Sequence, residues 1–333
     1  EDTFIGWMDF ARPDLGFACT SDPLDPRPFL KYRDGRWTAG SFVFNALAGD
    51  GCFLPNGYGW VVGASTRIYP CIYTLRLQAG SSQLEEVPNP YSSPPGAEGS
   101  MPRVSFGAEE DGWLLLSSRD ELLRYEDGYW RSVGNPLPTA LGYARDICFP
   151  TANEGWVCGS NGFAHYKDGK WEFVPGPAVD ELDFTARDDG WAVSRNGANV
   201  YHYNGSSWSV SYSAPGYEVS YVSFCDRGNG WATYWYNSEK GTILVKYDNG
   251  NWHRVILPNK YGCGTPCVLS AELAWFHGYS SAAKPQLTTW RWTTAPNVRP
   301  ASFGRIKAMF ATEEEDDEEG INIPASVNGA GGR

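Results

Sequence analysis

The chain has 333 residues, 27 Lys and Arg against 39 Asp and Glu, and a net charge of −12. That balance lacks the basic stripe a nucleic-acid partner requires. Aromatic residues make up 15% of the chain, with 38 Gly and 23 Pro, a composition suited to short strands and tight turns. No apolar run is long enough to cross a bilayer, and no helical periodicity is sustained before the C-terminal segment.

In chain order, a first unit covers residues 3–41, with Phe10, Phe17, Tyr32 and Trp37 marking its strands. A second, 42–87, carries Gly59-Trp60 and lacks a closing Trp. The Pro/Ser/Gly stretch Pro88–Pro102 separates it from residues 103–133, 144–174, 181–210 and 221–255, which repeat one text. Each has an apolar strand, a polar turn, Gly-Trp, then Tyr, a Gly turn and a second Trp. In residues 144–174 the runs Asp146–Phe149 and Trp156–Cys158 flank one turn, and Phe163–Tyr166 and Trp171–Val174 flank Lys167–Lys170. That is a pair of hairpins, or four antiparallel strands. A last unit, 263–303, is degenerate around Trp275 and Trp292.

A four-stranded sheet with two apolar faces cannot bury both alone, so it needs like neighbours. Seven units at roughly forty-residue spacing predict a seven-bladed β-propeller of four-stranded antiparallel blades over residues 1–304. Neither end of the array reads as a capping repeat, which argues against a solenoid. The recurring tryptophans are expected to fill the space between blades.

From Gly304 onward the pattern stops, and residues 305–333 form a separate acidic extension. Arg305–Thr312 is apolar, Glu313–Glu319 is a run of seven acids, and Ile321–Val327 alternates as an edge-adding strand would. Without that run, 27 basic residues face 32 acidic ones. The run reads first as a solvated tail, with a loose calcium or basic-partner site as the other reading. The extension as a whole is expected to dock on a neighbouring molecule or on its own disc. The chain starts at Glu1 without Met, as expected if a signal or pro-segment precedes it.

Strand order fixes which turns share a face. In an up-down-up-down blade, the turns after the first and third strands lie together, and there the short Asp-Gly turns recur. The other face gathers the irregular loops: Pro23–Pro28, Ala64–Pro70, Pro88–Pro102, Gly134–Tyr143, Pro215–Tyr217, Tyr234–Lys240, Pro258–Pro266 and Ser280–Pro285. Variable loops on a rigid scaffold are where binding concentrates. Tyr69, Tyr91, Tyr143, Tyr217, Tyr234, Trp235, Tyr236 and Tyr261 fall in them and are the candidate binding residues. Aromatic side chains give large contact area at low entropy cost; the other reading is loop packing.

The eight cysteines show no paired CxxC of a zinc site. Cys148 with Cys158, flanking one turn, and Cys263 with Cys267, closing a small loop, are disulfide candidates. An even count favours an oxidising compartment; the alternative is eight buried thiols. His165, His202, His253 and His277 offer no HExxH or HxxxH spacing for a metal. There is no GxSxG elbow. His165 and His202 recur on third strands, which favours a structural role. Glu154, Asp188 and Asp189 lie in polar turns, so nothing indicates the two facing carboxylates of a glycoside hydrolase. No catalytic residue, metal or cofactor is predicted. Asn204-Gly205-Ser206 matches a glycosylation sequon, but in a turn that other units fill with Asp-Gly or Asn-Gly it reads first as a coincidence of turn chemistry.

The text Gly-Trp, Gly-x-x-Gly, Tyr-x-Asp-Gly-x-Trp is clearest in GWVCGSNGFAHYKDGKW, residues 155–171. It resembles the repeats of secreted bacterial β-propellers. It is also similar to the photosystem II assembly-factor propellers and, more distantly, to the tectonin lectins. The sialidase Asp-box separates its Asp from Gly by one residue, whereas Asp168-Gly169 are adjacent here. The resemblance covers residues 1–304 and implies the fold far more than a function. The expectation is a secreted or cell-surface, non-catalytic binding or assembly module whose partner is a protein or another copy of the chain. A carbohydrate-binding lectin is the alternative, and a glycoside hydrolase a third reading.

Overall fold

Blade four shows how one repeat folds. Its strands are Ala144–Thr151, Glu154–Gly159, Gly162–Lys167 and Lys170–Pro175, paired in sequence order as an antiparallel meander. Asp168 and Gly169, between the last two, have φ of 51° and 80°. Positive φ at both central residues makes the type I′ turn whose twist matches the flanking strands. The same geometry recurs at Asp34-Gly35, Asp127-Gly128 and Asn249-Gly250. The computed structural model describes residues 5–20, 28–43, 47–64, 71–92, 102–194, 197–235, 243–256, 261–280 and 287–293.

Six blades are complete four-stranded sheets. Their first strands are Ile5–Arg12, Leu47–Phe53, Arg103–Ala108, Ala144–Thr151, Glu181–Ala186 and Glu218–Asp226. Among the described residues, the remaining sheet has three strands, Tyr261–Ser270, Leu273–Ser280 and Leu287–Thr293. The expectation of seven four-stranded blades is therefore corrected to six. The last unit lacks the Tyr-x-Asp-Gly-x-Trp text that turns the third strand into a fourth. The extension expected at 305–333 lies outside the described residues.

First strands touch first strands around the whole molecule, and Tyr261–Ser270 packs against Ile5–Arg12 to close the ring. Each first strand is therefore innermost, with one edge paired to its own blade and the other facing the axis.

The Gly-Trp pair supplies the packing between blades. Trp60 stacks on Phe106 of the next blade, with ring centroids 5.3 Å apart. Trp113 on Phe149, Trp156 on Phe184 and Trp191 on Phe224 repeat this at 5.3, 5.4 and 4.0 Å. Trp275 stacks on Phe10 across the closure at 4.7 Å. The next blade's Tyr and closing Trp pack edge-on to the same indole, as Tyr125 and Trp130 do around Trp60. Trp60, Trp156, Trp191 and Trp231 are among the most deeply buried side chains. The preceding glycine is required for a different reason: the Phe of its own blade lies over it. A Cβ at Gly155 would sit 2.5 Å from the Phe149 ring, and one at Gly190 2.4 Å from Phe184.

Candidate functional site

The innermost strands leave one edge of backbone N–H groups without a strand partner, and buried donors must be satisfied. From the second blade onward, each sheet solves this for the next one. The residue before the recurring Phe is small and polar: Asp9, Cys52, Ser105, Cys148, Asp183 and Ser223, with Cys267 before Val268 in the same place in the three-stranded sheet. The Phe149 N–H donates to Ser105 Oγ at 2.8 Å, and the Phe224 N–H to Asp183 Oδ2 at 2.7 Å. The Phe106 N–H meets Cys52 Sγ at 3.4 Å, and the Val268 N–H meets Ser223 Oγ at 3.3 Å. Backbone bonds from Phe184 to Cys148 and from Phe10 to Cys267 complete the pattern.

This arrangement corrects the disulfide assignment. All eight thiols are free. Cys158 lies opposite Asp146 and Cys148 opposite Trp156, so the two cysteines are diagonal neighbours. Diagonal positions are ~7–8 Å apart, beyond disulfide reach. Cys263 and Cys267 lie along one strand, four residues apart. Strand rise separates them by roughly 10 Å or more. Burial pushes the Cys148 and Cys267 thiols well up, so they act as packed acceptors. The cysteine count then no longer argues for an oxidising compartment.

Two residues earlier stands a second layer, nearer the irregular loops. Its charged members are Asp50, Arg103, Asp146 and Glu181, from four successive blades. Arg103 lies 3.9 Å from Asp50, 4.0 Å from Asp146 and 3.5 Å from Glu181, two blades on. Asp50 and Asp146 also accept the N–H groups of Val104 and Leu182, at 2.9 and 3.0 Å. Burial opposes the Arg103 charge, and the carboxylates of Asp146, Asp50 and Glu181 more than offset it. Burial pushes Asp50 up to about 7, against the pull of Arg103. It raises Asp183 to about 7 and Asp9 to about 6. The axis is thus acidic and walled by carboxyls engaged with backbone or with Arg103.

The histidines belong to another repeat. A basic residue of the third strand is the cross-strand partner of the Gly-Trp tryptophan in five blades: Arg76, Arg124, His165, His202 and Lys246, with Lys31 opposite Phe17 in the first. His165 stacks on Trp156 at 4.0 Å and bonds Glu154 Oε1 at 2.9 Å. His202 does the same on Trp191, at 4.2 Å, with Asp189 Oδ1 at 2.8 Å. Burial lowers His165, although Glu154 opposes that.

The predicted binding residues fall into different settings. Tyr143 is 74% exposed. Its backbone is fixed at both ends to Ser160, by N–H to Oγ at 3.2 Å and by carbonyl to N–H at 3.1 Å. Tyr91 is half-buried; its hydroxyl donates to Glu121 at 2.7 Å, and Arg119 lies 5.0 Å from its ring. Tyr217 accepts from Arg254 at 2.7 Å, with the guanidinium 4.9 Å from its ring. Tyr234 is a core residue with no exposed surface, its hydroxyl bonded to the Ala198 carbonyl at 3.1 Å. Trp235 ends a strand and Tyr261 begins one, with side chains outside the described set. Tyr69 and Tyr236 lie outside the described residues. The structure therefore leaves Tyr91, Tyr143 and Tyr217 spread over blades two to six rather than gathered in one pocket.

No family model matches the chain, and no curated protein matches its sequence. Solved structures do. YCF48 bound to a D1 peptide superposes with a TM-score of 0.59 at 16% identity, over 87% of this chain and 93% of that one. Six blades and a three-stranded sheet closed about an axis make this chain a β-propeller. The extracellular domain of the one-component system BT4673 from B. thetaiotaomicron gives 0.57 at 14% identity, over 83% of this chain and 37% of that one. A catalytically inactive virginiamycin B lyase from Staphylococcus aureus, with quinupristin, gives 0.61 at 15%, over 88% and 95%. At such identities the likeness concerns the fold alone, and the three neighbours include a peptide complex and a lyase. Among the described residues of this propeller, no helix is long and apolar enough to cross a membrane.

Proposed function

We propose that the propeller is a non-catalytic binding or assembly module whose irregular-loop face takes a segment of a protein partner. One observation carries this reading. Tyr143, 74% exposed on a link anchored by the fully buried Leu141 and by Ser160, has no packing role. A rigid aromatic held out in this way loses little entropy on contact. Tyr91 and Tyr217, each braced by an arginine, add partly pre-positioned rings to the same face. The axis at that end carries more carboxyls than cations, which suits a neutral or basic segment better than an acidic one. The peptide-bound state of one structural neighbour fits this reading. The non-catalytic part rests on the near-axis carboxyls being tied to backbone N–H groups and Arg103.

An extracellular setting belongs to the same proposal, supported by the extracellular-domain neighbour. Fractionation of producing cells tests it, and retention in the cytoplasm would refute it. The binding reading is tested by screening the full chain against a peptide library and a glycan array in parallel. Peptide binding that weakens at least tenfold in Tyr143→Ala, with unchanged melting temperature, supports it. A blank peptide screen with glycan binding would replace it with the lectin reading.

A further inference from the structure

The hairpin joining the third and fourth strands of blade five differs in kind from its counterparts. Its strands are Asn199–Tyr203 and Trp208–Ser213. Between Tyr203 and Trp208 stand Asn-Gly-Ser-Ser, where blade four has Lys-Asp-Gly-Lys. The asparagine is thus one place earlier than the Asp of the other turns. Gly205 alone has positive φ here, at 92°. The type I′ geometry of the Asp-Gly turns, with positive φ at both central residues, is therefore absent here. The shift turns the side chain into the organiser of the loop. Asn204 Oδ1 accepts from the Ser206 N–H at 3.1 Å, the Ser206 hydroxyl at 2.8 Å and the Ser207 N–H at 3.1 Å. The carboxamide nitrogen donates to none of the described groups. Asn204, Gly205, Ser206 and Ser207 are all exposed.

We infer that Asn204 is the attachment site of an N-linked glycan. This rests on the extracellular part of the proposed function, since it needs passage through a glycosylating compartment. Asn204-Gly205-Ser206 is the only Asn-x-Ser/Thr tripeptide in the chain. Its amide and hydroxyl are presented together at the tip of an exposed hairpin. The co-substrate is a lipid-linked diphosphate oligosaccharide. Asn204 Nδ2 forms a bond to sugar C1, the bond from C1 to the diphosphate oxygen breaks, and the lipid diphosphate leaves with the electron pair. One amide proton passes to a base of the transferase. Turns after third strands lie on the face opposite the irregular loops, so a glycan at Asn204 leaves the proposed partner surface uncovered.

The test is to produce the full chain behind a supplied secretory leader in a eukaryotic cell and weigh the secreted protein. The supplied leader makes the result independent of whether the natural chain is exported. The expected result is one glycan, released by peptide-N-glycosidase with conversion of Asn204 to Asp. Asn204→Gln and Ser206→Ala abolish it, and Ser206→Thr retains it. Secreted wild-type chain of unmodified mass, or a glycan that survives Asn204→Gln, overturns the inference.

Discussion

Replacing Asp183 with Asn separates the structural worth of the acceptor from the cost of its charge. Asp183 Oδ2 takes the Phe224 N–H at 2.7 Å, and an Asn carboxamide oxygen can take the same bond. The acid, however, is pushed by burial from 3.8 up to about 7. Between those values the folded chain holds a proton that the unfolded chain has released. The group's favourable contribution is therefore present at acid pH and lost as pH rises through about 7. Wild type therefore gains ~2–3 kcal/mol from this group between pH 8 and pH 5. Partial access from the axis makes this an upper value. The Asn variant has no such proton to take up. Urea denaturation at pH 8, 7, 6 and 5, with constant m-values, should show the variant more stable at pH 8 and the gap closing toward pH 5. Parallel profiles for the two proteins would refute the argument that Asp183 is strained by ionisation.

Trp156→Ala removes a fully buried indole stacked on Phe184. It should cost ~3–5 kcal/mol by thermal or chemical melts, and a loss under 1 kcal/mol would show that the stack carries little. Gly155→Ala drives a methyl into the Phe149 ring, 2.5 Å away. A loss of ~1–3 kcal/mol, with altered near-ultraviolet circular dichroism, is expected; a neutral result would mean that the ring has room to move. His165 is lowered by burial, so its folded form resists protonation and stability is lost as pH falls through the ordinary histidine range. His165→Arg, copying Arg124 over Trp113 at 5.3 Å, should keep the fold and flatten the profile between pH 7 and 5 at this site. A variant that titrates like wild type would assign that slope elsewhere.

The residues that repeat by identity were the ones legible in the sequence. Gly-Trp and Tyr-x-Asp-Gly-x-Trp recur because an indole stack, an overlain glycine and a type I′ turn each accept few substitutes. They located the blades, and the recurrence of His165 and His202 on third strands pointed to a structural role. The layer Asp9, Cys52, Ser105, Cys148, Asp183, Ser223, Cys267 repeats by function only. A carboxyl, a hydroxyl and a thiol can each take one N–H, so no common letter marks the position. The signal present was a small polar residue immediately before Phe. Without that signal, Cys148 reads as a bridge partner of Cys158, and Cys267 as one of Cys263. The seventh unit was overcounted because Trp275 keeps its stack on Phe10 while the text for a fourth strand is absent. Tyr234 was misjudged because a loop boundary taken from sequence cut into a strand that runs to Trp235.

Six junctions use a side chain of the earlier sheet and a peptide N–H of the later one, from Cys52 with Phe106 round to Cys267 with Phe10, while Asp9 takes the N–H of Phe10 on its own strand. The molecule therefore has a rotational sense, like a row of clasps all facing one way around a bracelet. Where the bracelet is opened between clasps is immaterial to the clasps themselves. A circularly permuted chain whose new ends fall between Pro175 and Glu181 keeps every one of them. A chain cut within a first strand must give one up.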